Sequence, residues 1–418
     1  MSEIPTGYKQ TEVGVIPEDW VVSKLGAHAA FRTGPFGSAL HQSDYVDGGI
    51  PVINPMQIVD GKIHPTYSMA ITDIAAQKLS DFRVSAGNVV IGRRGEMGRC
   101  AVVSAEEQGW LCGTGSMIIR TGPLLDARFV QRVLSSPAII AEIENASVGS
   151  TMINLNQGTL RNLLVPLPPT KAEQEAIAEA LSDADALIES LERFLVKKRQ
   201  LKQGAMQELL TGKMRLPGFT GEWEVKRLGG LGVFIKGKGV TREQSISGSL
   251  PCVRYGEIYT QHDDYIKMFL SWISRDVAAT ATLLKQGDIL FAGSGETKNE
   301  IGKCVAFVDD VEAYAGGDIV ILRSENADPL FLGYYLNTAP INRQKASRGQ
   351  GDAVVHISAA ALADIQGAFP PLVEQTAIAA ILSDMDTEIA ALEDKLVKAR
   401  NLKQGMMQAL LTGRIRLV

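Results

Sequence analysis

Phe291, Gly293 and Gly295 spell F-x-G-x-G behind an apolar run, the form of a glycine loop that cradles a cofactor such as S-adenosylmethionine. A fold of that kind needs a full helix next, and then a strand ending in an acid about 20 residues further on. Here Asn299, Glu300, Ile301 and Gly302 lead straight into KCVAFVDD, which leaves too little chain for the helix. The matching stretch of the first half, GRRGEMG at 92–98, lacks the pattern, so both read as hairpin-like loops.

Asn54 and Pro55 open an INPMQ stretch, close to the Asn-Pro-Pro-aromatic motif by which amino-methyltransferases bond and stack a flipped-out base. Met56 and Gln57 cannot supply that stacking ring. The five histidines (His28, His41, His64, His262 and His356) show no metal-ligand spacing, and no GxSxG, HExxH or Walker loop occurs. Cys100, Cys112, Cys252 and Cys304 lack CxxC spacing and read as small core residues of a reducing compartment. No catalytic, metal-binding or cofactor-binding set is expected in this chain.

Polar loops at matching places in the two halves suit nucleic acid better. The pairs are 32–38 with Arg32 and Ser38 against 236–242 with Lys236, Lys238 and Arg242, and 54–57 with Asn54 and Gln57 against 254–257 with Arg254 and Tyr255. Arg93 and Arg94 match Lys298 and Asn299, and 146–156 with Asn154 matches 346–358 with Arg348, Gln350 and His356. Arginine can grip guanine through two acceptors, and Asn or Gln can do the same for adenine. Any one of these residues could equally be solvated surface; as a matched set they favour recognition. The formal net charge of −5 argues against coating DNA by charge alone, though not against local basic patches.

The elements that must hold these loops are written twice. Residues 181–216 and 382–417 align without a gap at an offset of 382 − 181 = 201 residues, with most positions identical. A repeat of this quality makes the chain a tandem duplication. In the first copy Ile177, Leu181, Ala184, Ile188, Leu191 and Leu195 recur four and three apart; in the second, Ile378, Leu382, Met385, Ile389, Leu392 and Leu396 do the same. That spacing is a coiled-coil seam on a long helix. Pro-Pro precedes each helix, a break is expected at Gly204 and Gly405, and LLTG supplies a glycine cap at 209–212 and 410–413. Helices near 30 residues would be about 45 Å long.

The remaining segments read as two diverged copies of one α/β domain. Both open on an acid-Trp element, at 18–26 and 221–229, and continue with strands at 89–91 and 289–291, 100–103 and 304–308, and 117–119 and 319–322. A helix follows around 126–143 and 328–345. Scaffolds agree while loops differ, as for two domains recognising different targets. The 418 residues allow two to three domains, and the duplication selects two units. No apolar run approaches the roughly 20 residues of a membrane span, and MSEIPTGYKQ lacks signal-peptide character, so a cytoplasmic protein is expected.

PPTKAEQEAIAEALSDAD and PPLVEQTAIAAILSDMD, KQGAMQELLTGKMRL and KQGMMQALLTGRIRL, and GYKQTEVGVIPEDWVVSKLG resemble the specificity subunits of Type I restriction-modification systems. The resemblance covers the whole chain. It implies an α+β fold of two tandem α/β target-recognition domains, 1–168 and 217–369, separated by repeat helix regions 169–216 and 370–418. The helices would pack as an antiparallel coiled coil with a pseudo-two-fold internal repeat. It further implies double-stranded DNA as the target, with each domain reading half of a bipartite asymmetric site and the helices setting the spacer. Partners would be two methyltransferase subunits modifying adenine at N6 and two restriction (helicase-nuclease) subunits. S-adenosylmethionine, ATP and Mg are expected on those partners and none here. A protein-binding scaffold, or a stand-alone DNA methyltransferase, is the alternative on the residues alone.

Overall fold

The computed structural model describes residues 4–36, 39–146, 154–351 and 354–417. The first four-stranded sheet is built from β1 (Ala29–Thr33), β2 (Val89–Gly92), β3 (Cys100–Val102) and β4 (Ser116–Thr121), in the spatial order β3-β2-β4-β1. All its pairings are antiparallel. Two short helices follow, α1 (Ala127–Leu134) and α2 (Pro137–Asn145), and then one long helix, α3 (Lys171–Leu209). The second sheet repeats the plan with β5 (Gly232–Lys236), β6 (Asp288–Ala292), β7 (Cys304–Ala306) and β8 (Ile319–Ser324), in the order β5-β8-β6-β7, again antiparallel. Helices α4 (Pro329–Tyr335), α5 (Ala339–Arg348) and α6 (Leu372–Leu410) complete it.

The expected strands are present, and the reason is visible in their burial. Alternate residues of a strand face opposite sides, so a strand buried on both faces reads as a continuous apolar run. Val89 and Ile91 join one core cluster while Val90 joins another; Ile289 and Phe291 likewise separate from Leu290 and Ala292. The single helices expected around 126–143 and 328–345 are each two. Pro137 at the start of α2 and Pro340 near the start of α5 have no N–H for a continuing helix, so a new helix begins at each.

The expected breaks at Gly204 and Gly405 do not occur, because α3 and α6 run through both glycines for 39 residues, about 58 Å. An interior glycine costs a helix only about 1 kcal/mol relative to alanine, and buried Leu209 and Leu410 beyond it repay that by packing. Among the described residues, nothing beyond the adjoining helix backbone lies within 4 Å of where a Cβ would stand on either glycine. Gly204→Ala and Gly405→Ala are therefore expected to stabilise the protein by roughly 0.5–1 kcal/mol each in urea unfolding. A loss of stability would contradict the continuous helices. The actual stops are Gly212 and Gly413, with φ of 69° and 68°.

The chain divides into two compact units that do not follow its linear order: the first joins residues up to Glu192 with those from Lys395 onward, and the second is Arg193–Asp394. Each unit thus takes the first part of one long helix and the last part of the other. In the first unit Ile177 and Leu181 share a core with Leu410 and Leu411, packed with Trp20 and Phe129. In the second, Ile378 and Leu382 share a core with Leu209 and Leu210, packed with Phe331 and Tyr334.

Ion pairs give the direction of helix pairing inside each unit. In the first, Glu192 meets Arg400 at 2.5 Å and Asp185 meets Lys403 at 2.5 Å; in the second, Glu393 meets Arg199 at 2.6 Å and Asp386 meets Lys202 at 2.7 Å. One number rises as the other falls, so the segments run antiparallel, and the two sets are related by the repeat offset. Of the seam, Ile177, Leu181, Leu195, Ile378, Leu382, Leu392 and Leu396 are buried. Ala184, Ile188, Leu191, Met385 and Ile389 are half-buried. Arg416 closes the first unit on the buried Glu173 (2.8 Å from Nη2) and on Asp19 (3.0 Å), as Arg215 closes the second on the buried Glu374 (2.6 Å).

Candidate nucleic-acid interface

In each unit the candidate loops arise from distant parts of the sequence and meet at one end of the four-stranded sheet. In the first unit the loop after β1 turns at Gly34, whose N–H donates to the Ser116 carbonyl at 3.0 Å. The loop after β2 is tied there by Arg93 N–H to the Gly115 carbonyl at 2.8 Å, and the 154–157 segment by Leu155 N–H to the Arg93 carbonyl at 2.9 Å. The 54–57 turn joins them through Gly113, whose N–H donates to the Ile53 carbonyl at 2.9 Å.

The second unit repeats this arrangement. Gly237 N–H donates to the Ile319 carbonyl, Gly316 N–H to the Val253 carbonyl, and Gly293 N–H to the Asp318 carbonyl, at 2.7–2.9 Å. Ser294 faces His356 across a short antiparallel pairing, with Ser294 Oγ and His356 Nδ1 hydrogen-bonded at 2.9 Å. The loop containing Gly293 and Gly295 connects antiparallel neighbours β6 and β7, a hairpin rather than a cofactor loop. Two glycine pairs are forced by crowding, not by a ligand. A Cβ on Gly34 would lie 1.9 Å from the Gly113 oxygen, and one on Gly237 2.1 Å from the Gly316 oxygen.

The candidate side chains separate into three kinds. Arg94, Asn154, Lys236, Lys238, Arg242, Lys298, Asn299 and Gln350 are exposed, and Tyr255 is 37% exposed at the start of a short helix, Tyr255–Thr260. Others stand at the loop end but are engaged. Arg32 bonds Asp81 at 2.8 Å and lies over the Phe82 ring, Asn54 donates to Tyr45 Oη at 3.4 Å, and Arg348 donates to the Gln344 carbonyl at 3.1 Å. Arg254 is half-buried, with its backbone N–H donating to the Glu257 carboxylate at 3.2 Å, and His356 is hydrogen-bonded to Ser294. Ser38 lies outside the described residues.

Two candidates are corrected. Gln57 is 3% exposed, with its amide donating to Thr66 Oγ1 at 3.1 Å and accepting from Asn54 N–H at 3.0 Å. Arg93 is 8% exposed, with Nε donating to the Leu155 carbonyl at 2.9 Å, and burial holds its guanidinium below the usual range. Both brace the loops from inside. The sequence offered their polarity but not their direction, which follows from the turn at 54–57 and the strand end at Gly92.

Sequence reasoning also missed a support in the second unit. Lys345 is fully buried, and its Nζ donates to the Gly302 carbonyl at 2.7 Å beneath the β6–β7 loop, where Ile143 stands at the matching position of the first unit. A lysine where one copy of the duplicate has isoleucine on the apolar face was the available signal. Burial lowers its ammonium pKa from the usual lysine value. The unfolded chain then binds more protons, so stability rises with pH from the lowered folded value up to about 10.4. Lys345→Met is expected to raise stability at pH 7 and to flatten that rise in urea unfolding measured across pH 7–10. An unchanged pH slope would count against it.

Burial pushes the thiols of Cys100, Cys112 and Cys252 up to about 12, in keeping with core residues. Among the described residues no cluster of three or more His, Cys, Asp or Glu could hold a metal ion, and no helix is long and apolar enough to cross a membrane. The two loop ends offer amide, guanidinium and ammonium donors on rigid sheets, which suits hydrogen bonding to base edges and phosphates.

A family model described as "Type I restriction modification DNA specificity domain" matches residues 17–197 and again 220–399. The chain is 26% identical over 437 residues to the putative type I restriction enzyme MjaX specificity subunit of Methanocaldococcus jannaschii, covering 98% of this chain and 96% of that one. It is 22% identical over 427 residues to the MjaVIII specificity subunit of the same organism, covering 96% and 94%. The fold is similar to the crystal structure of a Type-I restriction-modification system S subunit from M. genitalium, with a TM-score of 0.58 at 16% identity, covering 94% and 96% of the two chains.

Proposed function

The chain belongs to the family of Type I restriction modification DNA specificity domains, and from that membership we propose that the loop end of each unit reads one half of a bipartite, asymmetric double-stranded DNA site. Membership makes it a specificity subunit, the non-catalytic DNA-recognition part of a Type I system. The observation that carries the finer reading is the doubled loop end: two sheets of one topology, each gathering four loops whose side chains differ between the copies. Sheets of one topology carrying different donors are suited to reading two different half-sites.

On this reading the long helices set the spacer between half-sites. Their continuity over 39 residues supports this role, and the ion pairs between segments give their antiparallel direction. The subunit would recruit two methyltransferase subunits that modify adenine at N6 and two restriction subunits, with S-adenosylmethionine, ATP and Mg held by those partners. The cytoplasm is the compartment that fits such an assembly.

The test is an exchange. Residues 217–369 are replaced by the matching segment of a relative with a different specificity, and genomic methylation is mapped in cells carrying the methyltransferase partner. One half-site is expected to change while the other half and the spacer persist. Alteration of both halves, or no site-specific methylation dependent on the chain, would overturn the reading.

A further inference from the structure

The loop end of the first unit exposes two large apolar side chains where the second unit has glycine. Phe36 is 66% exposed and Met56 is 64% exposed. Phe36 lies two residues after the crowded Gly34, and two residues after its counterpart Gly237 stands Gly239; Met56 lies two after Asn54, and two after Arg254 stands Gly256.

Buried polar groups lie beside both side chains. Gln57 turns its amide inward to Thr66 and takes the Asn54 N–H, which leaves Met56 on the solvent side of the same turn. The guanidinium of Arg93, buried and tied to Leu155, lies 6.0 Å from the centre of the Phe36 ring. A ring and a thioether presented from a braced surface are set up for a contact.

The chemistry of DNA limits what that contact is. Phosphates and most base-edge atoms are charged or polar, and the apolar group on the major-groove edge is the C5-methyl of thymine. Resting on the reading of each unit as a half-site reader, we propose that Phe36 and Met56 read thymine methyl groups in the half-site of the first unit. The second unit, with glycine at those positions, reads its half without them.

The experiment uses the full chain with its methyltransferase partners and a duplex of the mapped site, in which each thymine is replaced singly by deoxyuridine. Loss of one methyl is expected to weaken wild-type binding about fourfold at one or more thymines of the first unit's half-site. Phe36→Ala and Met56→Ala should each lose the discrimination at the thymine that side chain reads, and the double variant should bind the thymine and deoxyuridine duplexes alike, with unchanged thermal unfolding because both side chains are exposed. Specific binding that is indifferent to deoxyuridine in that half overturns the inference alone, as does a half-site without thymine on either strand. Variants that weaken thymine and deoxyuridine duplexes equally overturn it too, assigning Phe36 and Met56 to some other role. Failure to prefer the mapped site over a scrambled duplex sinks the half-site reading and this inference with it.

Discussion

Trp20→Ala is expected to destabilise the first unit by about 3–5 kcal/mol, the usual cost of removing a fully buried aromatic side chain. Trp20 is 0% exposed and belongs to the core that joins Phe129, Ile177 and Leu181 to Leu410 and Leu411. Among the described residues its indole N–H has no hydrogen-bond partner, so its contribution is packing, including the Arg416 guanidinium 5.9 Å from its ring centre. The end of α6 rests on it: a Cβ on Gly413 would lie 3.2 Å from the Trp20 ring and 2.5 Å from Pro17. The cavity would therefore also loosen the C-terminal helix cap, along with the Arg416 pairs to Glu173 and Asp19 just beyond it. The matching Trp223 of the second unit is only half-buried over Gly212 and should cost less on truncation. Urea unfolding of the two variants measures the difference, and equal losses would show that the helix ends are not seated as described.

Replacing Lys236, Lys238 and Arg242 together with alanine is expected to weaken DNA binding of the assembled complex by about a hundredfold at 0.1 M salt. It should also lower the steepness of log affinity against log salt by roughly 2–3, near one for each phosphate no longer neutralised. All three are exposed at the loop end of the second unit, and the overall charge of −5 offers no general attraction to compensate. Because phosphate contacts carry no sequence information, specific and non-specific duplexes should lose affinity together. An unchanged salt slope would remove these residues from the DNA interface. A loss confined to the specific duplex would instead make them base readers.

Much of the fold was legible because it depends on local pattern. Apolar runs at 89–91 and 289–291 could be read as buried strands, and glycine after the long helices could be read as a cap, since each signal lies within a few residues of its effect. The helix breaks were misread for a related reason. A glycine such as Gly204 is a local penalty of modest size, and the packing of Leu209 and Leu210 that outweighs it comes from residues far along the chain.

The candidate interface was legible as loops and not as side chains. Arg93 and Arg94 are adjacent and alike in sequence, yet one is buried against Leu155 and the other is exposed. Gln57 looked like an adenine reader and is a brace inside the turn. Polarity states what a side chain can bond, while direction depends on backbone geometry set by strands from elsewhere.

The amino-acid sequence by itself determined the duplication, the strand and helix types, the seams and the polar character of the loops, because repeats and periodicity are properties of the chain alone. Only the tertiary structure decided that each unit combines the start of one helix with the end of the other, and which loop residues point outward. Those outcomes rest on burial between segments about 200 residues apart, where Leu410 meets Ile177 and Leu209 meets Ile378 in common cores, and no local pattern encodes the partner a buried face will find.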